Sequence, residues 1–287
     1  MVQPSHPLKG VFLILLASVA FALMGACVKA VTGPLPTLEI VWFRSVIGLV
    51  IFIPWMLARK ISFKGRHPVF LSLRGLSGFA AIVCYFFALR HLTLATAVVL
   101  NYTSPVFVML LAIPFLKERV SWDIVLLFII SFVGVLCLAR PDFLAQSGPF
   151  ASGLASGFFA AVAYVTISYL GRFENPITVI FHFVLWTGAL STPFLLKQFQ
   201  MPGGLDWLFL IGAGFFASIG QVWMTQAYFC GSASIISIFS SVAPLMAYLL
   251  GVLFWQEKLS PLMNLGIFLI VVGNALLSVR YQKTQSA

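Results

Sequence analysis

Long apolar runs separated by short polar connectors make up most of this chain. A helix needs about 20 mostly apolar residues to cross a bilayer, and ten stretches reach or approach that length. They lie at Val11–Val31, Leu38–Leu57, Pro68–Leu89, Thr93–Phe115, Trp122–Ala139, Pro149–Leu170, Ile177–Leu196, Asp206–Phe229, Ser232–Phe254 and Leu262–Val279. Strands of a membrane barrel alternate apolar and polar residues, whereas these runs are apolar throughout. The pattern therefore predicts ten transmembrane helices.

The composition agrees with a protein that lies almost entirely in the membrane, because 61% of its residues are hydrophobic and only 8% are charged. No connector exceeds roughly a dozen residues, which leaves no room for a soluble domain. The first run is too long for the apolar region of a signal peptide and is closely followed by further spans, so we count it as the first crossing. The predicted fold class is an all-α polytopic membrane protein.

The second half of the chain repeats the first. Adding 139 to a residue number aligns glycines, prolines and a glutamate: Pro54 with Pro193, Gly75 with Gly214, Pro105 with Pro244, Glu118 with Glu257, and Gly134 with Gly273. Each unit contains five spans, and an odd number inverts the second copy in the membrane. We therefore predict two inverted five-helix repeats, residues 1–145 and 146–287, that form one transport domain. Inverted repeats are typical of secondary transporters, although a fold alone does not fix a function.

The matching ends FLKERVS and FWQEKLS are each followed by a helix that carries the pair VG, at Val133–Gly134 and Val272–Gly273. With the ten spans and the duplication, they resemble the drug/metabolite transporter superfamily, specifically its EamA type, over essentially the whole chain. The resemblance implies secondary transport or exchange of a small polar metabolite, often an amino acid or a derivative, by alternating access. The segment LRGLSGFAAIVCYFFALRHLTLATA also resembles members that carry S-adenosylmethionine, which keeps a nucleoside-type metabolite as an alternative.

The net charge of +10 has an explanation in membrane topology rather than in nucleic-acid binding. Lysine and arginine accumulate on cytoplasmic loops. With the N-terminus inside and ten crossings, eleven of these residues fall on the inner side and six, Arg44 among them, on the outer side. The inner group is Lys9, Arg59, Lys60, Lys64, Arg66, Arg74, Lys117, Arg119, Arg172, Arg280 and Lys283. Both termini are predicted to be cytoplasmic, in a multi-pass protein of the bacterial inner membrane.

Prolines lie near the centres of the fourth and ninth spans, at Pro105 and Pro244. Proline cannot donate to the carbonyl four residues earlier, so we predict a kink in each span. An unpaired carbonyl costs several kcal/mol in hydrocarbon and has to face protein, water or substrate. The residues with the freed carbonyls, and the polar residues that follow them, are predicted to line the substrate site: Asn101, Tyr102, Ser240 and Ser241. A purely structural kink, satisfied by a neighbouring helix, is the alternative.

Arg44 lies about 9 Å into the second span at 1.5 Å per residue. An arginine at that depth costs roughly 2–3 kcal/mol unless it snorkels or pairs, so we predict that it binds substrate. Outward snorkelling and pairing with Glu39 are the alternatives. His182 is its repeat counterpart, either as a substrate ligand or as a packing histidine. Gln221 and Thr225 share a helix face, where they line a cavity or hydrogen-bond between helices.

The seven carboxylates all fall near span ends or in loops. A proton/cation exchanger usually needs a deep carboxylate, whereas this chain places cationic and neutral groups at depth, which favours a substrate with a carboxylate, such as a zwitterion. Glu118 and Glu257 are predicted to cap helix N-termini or to pair with Arg119 and Lys258. Trp42, Tyr85, Tyr164 and Trp186 are candidate cavity aromatics, with interface anchoring or core packing as the alternatives.

The sequence contains no GxxxxGK[ST] loop, no HExxH and no clustered cysteines or histidines. We therefore predict no catalytic residues, no metal and no cofactor, and an intramembrane enzyme is a disfavoured alternative. The expected partners are a small-molecule substrate and the lipid bilayer, without nucleic acid. A coupling proton or a counter-substrate fits the same pattern, and the sequence leaves the oligomeric state open.

Overall fold

The computed structural model describes residues 7–31, 35–118, 121–138, 147–256 and 261–286. All regular elements in these ranges are α-helices. Twelve helices follow one another: α1 Pro7–Ala30, α2 Thr37–Ala58, α3 Pro68–His91, α4 Leu94–Asn101, α5 Ser104–Leu116, α6 Trp122–Leu138, α7 Ser147–Leu170, α8 Pro176–Gln198, α9 Asp206–Cys230, α10 Ala233–Phe239, α11 Val242–Trp255 and α12 Pro261–Ser286.

Eight segments in the described ranges have the length and apolar composition needed to cross a membrane. Two of them combine consecutive helices, namely α4 with α5 and α10 with α11. Helices α6 and α12 coincide with the fifth and tenth predicted spans but contain shorter apolar stretches, Trp122–Gly134 and Asn264–Gly273. The protein is therefore an all-α polytopic membrane protein, with eight full-length spans and two shorter apolar helices in the described part of the chain.

Hydrogen bonds between helix ends show which ends lie on the same face of the bundle. Glu174, which follows α7, accepts the backbone N–H groups of Arg66 and His67 at 2.5 and 2.7 Å. Glu39, in the first turn of α2, accepts the N–H of Gln200 at 3.1 Å. Each contact joins segments that the topology places on one side, the inner side for Glu174 and the outer side for Glu39. This grouping fits a chain that crosses the membrane with each successive span.

The two halves of the chain interlock. Helix α1 packs on α9 and α3 on α7, while α2 packs on α8 and α6 on α12. When each helix is replaced by its counterpart in the other repeat, the α1–α9 pair becomes the α3–α7 pair. The α2–α8 and α6–α12 pairs stay the same. Two units related by a pseudo-twofold axis are expected to show this symmetry. The two-repeat architecture therefore fits the structure. The boundary predicted between residues 145 and 146 lies outside the described residues.

The segments FLKERVS and FWQEKLS, which match most specifically between the halves, begin with the same backbone geometry. Helix α5 is terminated by Lys117 and α11 by Gln256, and both residues are left-handed, with φ of 55° and 52°. The next pair of helices, α6 and α12, meet at Gly134 and Gly273. A Cβ on Gly134 would lie 2.7 Å from the carbonyl oxygen of Gly266, and one on Gly273 would collide with α6. The paired glycines thus permit close approach of these two helices.

Glu118 confirms the predicted helix cap. Its carboxylate accepts the backbone N–H groups of Ala233 and Ser234 at 2.7 and 3.2 Å and the hydroxyls of Ser232 and Ser234 at 2.8 and 2.7 Å. The carboxylate therefore satisfies the free N–H groups at the start of α10 and lies at the positive end of that helix. The counterpart Glu257, with Arg119 and Lys258, lies outside the described residues.

Arg74 corrects the charge count. The topology prediction treats it as an inner-face cation, whereas the structure buries it in α3 with 2% of its surface exposed. Arg44 is also buried, in α2, with 3% exposed. Neither residue belongs to a loop, so ten cations remain on the predicted inner side and five on the outer side. The bias survives the correction, and the orientation stays a prediction.

Candidate functional site

A cavity of about 120 Å³ lies where helices of both repeats meet. Helices α1 to α5 surround it from the first half, and α7, α8, α9 and α11 from the second. Its polar side chains are two arginines, two amides, four tyrosines and three serines, and no carboxylate of the described residues lines it. The same ranges contain no cluster of three or more His, Cys, Asp or Glu side chains that could hold a metal ion. A cavity between repeats is where secondary transporters bind their substrates.

Two guanidinium groups share one aromatic ring in this cavity. The Cζ atom of Arg44 lies 5.1 Å from the ring centroid of Phe183, and that of Arg74 lies 4.1 Å from it. Arg74 also donates from Nη2 to Oε1 of Gln221 at 3.0 Å. Within the described part of the chain neither arginine forms an ion pair, and the Nε atoms of both lack a hydrogen-bond partner. The ring face and one amide oxygen are therefore the main attractive partners of two buried charges.

The surroundings of Arg44 disfavour the two structural alternatives, snorkelling and an ion pair with Glu39. A snorkelling arginine reaches the headgroups, yet Arg44 is almost completely buried. An ion pair with Glu39 is absent from the described contacts, because Glu39 instead accepts the N–H of Gln200. Buried charges are expensive unless they are paired and hydrogen-bonded. The cavity is thus suited to an anionic group, because a guanidinium can bind a carboxylate through two parallel hydrogen bonds.

The fourth and ninth spans are each interrupted just before the predicted proline, by two residues that separate consecutive helices. Pro105 lies in the first turn of α5, and Pro244 is the third residue of α11. Proline is well tolerated in the first turn of a helix, where its missing N–H has no intrahelical partner to lose. The carbonyl of Ser240, predicted to be unpaired, accepts the N–H of Ala243 at 2.9 Å. The chain thus ends one helix and starts another at each break.

The polar residues at the two breaks contact each other across the repeats. Tyr102 donates its hydroxyl to the carbonyl of Ile238 at 2.7 Å and also hydrogen-bonds Ser241. Asn101 donates from Nδ2 to Oγ of Ser156 on α7 at 2.9 Å. Of the four residues predicted here, Asn101, Tyr102 and Ser240 line the cavity. Ser241 is fully buried beside it and supports Tyr102.

Of the remaining predicted site residues, one lines the cavity and two do not. Gln221 lines the cavity, whereas Thr225, one turn further along α9, is fully buried and its hydroxyl has no hydrogen-bond partner. His182 is half-buried, with Nδ1 3.0 Å from the carbonyl oxygen of Thr178, and it does not line the cavity. The next residue, Phe183, does. An offset of 139 rather than 138 would have identified Phe183 as the counterpart of Arg44.

Sequence reasoning missed Arg74 and Phe183 as site residues, and it left the tyrosines undecided. Of the four candidate aromatics, Tyr85 and Tyr164 line the cavity, whereas Trp42 and Trp186 do not. Tyr164 stacks on Tyr228, another cavity residue, with 5.2 Å between ring centroids and 21° between planes. The site therefore combines two cationic side chains with several aromatic rings.

Comparison with known proteins gives consistent results. Residues 8–140 and residues 149–279 each match the family described as the EamA-like transporter family. The chain is 33% identical over 272 residues to the pseudopaline exporter CntI of Pseudomonas aeruginosa, which covers 94% of this chain and 96% of that protein. It is 24% identical over 226 residues to the S-adenosylmethionine uptake transporter of Rickettsia felis, covering 77% and 76%. A solved crystal structure has the same fold over 98% of this chain and 99% of that chain, with a TM-score of 0.78 and 22% identity.

Both named relatives are transporters, and neither is an enzyme. The described part of this chain is a bundle of apolar helices around a polar cavity, as membrane transport of a small molecule requires. The protein is a multi-pass membrane transporter for a small metabolite. Because the family match extends over both halves of the sequence, the chain belongs to the EamA-like transporter family.

Proposed function

We propose that this protein is a secondary active transporter or exchanger of a small polar metabolite that carries a carboxylate, an amino acid or an amino-acid derivative. The observation that supports this most strongly is the burial of Arg44 and Arg74 in one cavity without a carboxylate partner among the described residues. A substrate carboxylate supplies the missing negative charge and accepts paired hydrogen bonds from a guanidinium. The two repeats then rock about this site and expose it to each side in turn.

Neutral groups of the same cavity suit the rest of such a substrate. Asn101 directs its amide nitrogen to Ser156, which leaves its carbonyl oxygen to accept from a substrate ammonium group. The faces of Tyr85 and Tyr164 offer a second attractive surface for a cation. A zwitterion therefore finds a partner for each of its charges without a protein carboxylate in the cavity.

S-adenosylmethionine is the second candidate, because it combines an amino-acid head with a purine ring. The stacked Tyr164 and Tyr228 offer a flat aromatic surface for such a ring. S-adenosylmethionine is about as large as a drug molecule, and pockets for ligands of that size usually measure about 300–1,000 Å³. The cavity is smaller, at about 120 Å³. A nucleoside-type substrate therefore requires the cavity walls to separate, whereas a free amino acid requires less movement.

We also propose that the protein lies in the bacterial inner membrane with both termini in the cytoplasm. The cations that remain after Arg44 and Arg74 are removed support this orientation, with ten on the predicted inner side against five on the outer side. The proposed unit of transport is the pair of five-helix repeats, residues 1–145 and 146–287, acting as one domain.

Ligand binding to the purified protein tests the substrate class, because a ligand that binds the native state raises its melting temperature. Amino acids, nucleosides and S-adenosylmethionine form the panel, and each ligand that shifts the melting temperature is then compared with its amide or ester. We expect the free acid to stabilise the protein and to be transported into proteoliposomes, and the amide or ester to compete much less.

Lysine variants of the two arginines test the site itself. Arg44→Lys and Arg74→Lys each lose the two-pronged donor, and a hydrogen bond to a charged group contributes about 1.5–3 kcal/mol. We therefore expect affinity for the acid to fall by roughly tenfold or more in each. The matched control is Arg172→Lys, because Arg172 is exposed. Equal competition by acid and amide, with normal transport by both lysine variants, would exclude carboxylate recognition by this cavity.

A further inference from the structure

A second, larger cavity lies at the end of the bundle where α2 begins. Its volume is about 380 Å³, and residues of α2, α3, α7 and α8 form its walls. The polar and titratable side chains there include Glu39 from α2, Cys84 from α3, Ser152 from α7, and Lys197 and Gln198 from α8. In the predicted orientation, this end of the bundle faces the outside of the cell.

Glu39 is the unusual residue of this cavity. It is 1% exposed, and its Oε2 atom accepts the backbone N–H of Gln200 at 3.1 Å. Its Oε1 atom is buried and has no hydrogen-bond partner, and no cation of the described residues forms an ion pair with it. The carboxylates of Glu118 and Glu174 differ, because each accepts several hydrogen bonds. Among these three, only Glu39 has a buried carboxylate oxygen without a hydrogen-bond partner.

The charged groups around Glu39 do not neutralise it. Lys197 on α8 and Cys84 on α3 line the same cavity, and Lys197 does not form an ion pair with Glu39. Arg90, at the end of α3, donates to the carbonyl of Leu35 and interacts with Asp206 of α9. No group of the described residues therefore satisfies or neutralises the second oxygen of this carboxylate.

A proton is the occupant that this geometry fits best. Burial of an ionised carboxylate with an unpaired oxygen is expensive, and protonation removes the charge. A proton needs one acceptor atom, which Oε1 supplies, whereas a metal cation of the Ca²⁺ type needs about six to eight oxygen ligands. The backbone N–H of Gln200 donates to Oε2 more strongly when the carboxyl group is ionised than when it is neutral, so protonation weakens this contact.

Four helices line both this cavity and the central one. Helix α2 carries Glu39 at one cavity and Arg44 at the other, and α3 carries Cys84 and Arg74. Likewise α7 carries Ser152 and Tyr164, and α8 carries Gln198 and Phe183. A change in charge at Glu39 weakens its hydrogen bond to Gln200, which joins the start of α2 to the segment after α8. The same helices hold both guanidiniums, so movement at one cavity is transmitted to the other.

We propose that Oε1 of Glu39 is a proton-binding site in the second cavity and that the proton it exchanges is coupled to transport. The step is a simple protonation: the Glu39 carboxylate takes a proton from water in the cavity and becomes a neutral carboxylic acid, and it returns the proton when the helices move. The location of the proton site is independent of the substrate, whereas its coupling role rests on the proposed function.

The proton site is tested without a substrate, by infrared titration of the purified protein. We expect the absorption of a protonated carboxyl group to appear as pH is lowered, to vanish in Glu39→Gln, and to remain in the matched control Glu118→Gln. A hydrophobic carbodiimide, which reacts with protonated buried carboxyl groups, should modify Glu39 of the wild-type protein more at low pH, as read by mass spectrometry. This second measurement holds if Glu39→Gln fails to fold. An infrared band unchanged in Glu39→Gln, or no carbodiimide adduct on Glu39, would overturn the site.

Coupling is tested in proteoliposomes with a mixture of radiolabelled amino acids and with labelled S-adenosylmethionine as the probes. We expect a pH gradient to drive accumulation by wild type, and Glu39→Gln to lose that accumulation while it still exchanges internal for external probe at equal pH. Gradient-driven accumulation by Glu39→Gln at the wild-type level would overturn coupling through Glu39. If wild type transports none of the probes while its infrared band titrates as expected, the proposed substrate class fails and the proton site stands.

Discussion

Gln221 orients Arg74 without neutralising it. The Oε1 atom of Gln221 accepts from the guanidinium at 3.0 Å, and an amide carries no net charge. A carboxylate at the same position would form a buried ion pair and remove the positive charge from the cavity. The amide is thus the residue type that fixes the direction of the guanidinium and leaves its charge available to a substrate.

Gln221→Glu tests this at the residue scale. The new carboxylate pairs with Arg74 and competes with a substrate carboxylate, so we expect affinity for the acidic ligand to fall by about tenfold or more, on the 1.4 kcal/mol scale of a modest ion pair. The melting temperature of the ligand-free protein should rise, because one of its two buried charges becomes paired. Ligand-dependent melting curves measure both effects.

Thr225→Val is the matched control for that variant. Thr225 lies one turn from Gln221, and its buried hydroxyl has no partner, so its loss should leave affinity unchanged and stability equal or slightly higher. Unchanged affinity in Gln221→Glu would show that the Arg74 charge plays no part in binding.

The sequence identifies Arg44 as a site residue but not Arg74. Arg44 is judged by its depth in the predicted span, whereas Arg74 is only counted among the cations of the inner side. Arg44 and Arg74 each lie six residues into a predicted span, about 9 Å at 1.5 Å per residue. Arg74 follows the cationic segment Arg59–Arg66, so topology counting assigns it to the inner loops. The partners of the two side chains could not be predicted, because Phe183 and Gln221 come from helices whose packing only the folded structure specifies.

At the scale of elements, the two broken spans bring helix ends to the substrate cavity. Helices α5 and α11 begin next to the cavity residues Tyr102 and Ser240. A helix N-terminus carries partial positive charge, which adds to that of the arginines and favours an anion. The position of each break could be predicted from its proline. Its nature could not, because proline is compatible both with a kink inside a helix and with the first turn of a new one.

Replacement of the prolines at the breaks tests whether discontinuity matters for transport. Pro105→Ala and Pro244→Ala restore an N–H and favour helix through the break, so we expect transport per folded molecule to fall several-fold while folded yield changes less. The matched controls are Pro54→Ala and Pro193→Ala, a repeat-related pair that lies inside the continuous helices α2 and α8. Transport that falls equally in both pairs would mean that the breaks have no special role.

At the scale of the whole molecule, the repeats are joined at both ends of the bundle. On the predicted inner face, Glu118 of the first half caps α10 of the second. On the outer face, Glu39 of the first half accepts the N–H of Gln200 of the second. Alternating access requires the contacts at one face to open while those at the other face hold. The sequence predicts which residues share a face, but the contacts themselves depend on the packing of α2 with α8 and of α5 with α10.

Cysteine accessibility tests the orientation and, with it, the number of crossings. Ser62 and Ser147 are both exposed, and α3, the α4–α5 pair and α6 separate them, so three crossings should put them on opposite sides. On a background without the four native cysteines, an impermeant thiol reagent applied to intact cells should label a cysteine at 147 and spare one at 62, while permeabilised cells label both. The reverse pattern would invert the proposed orientation. If neither position is labelled in intact cells while both are labelled in permeabilised cells, both lie in the cytoplasm. That result would mean that α6, whose apolar stretch is short, does not cross the membrane.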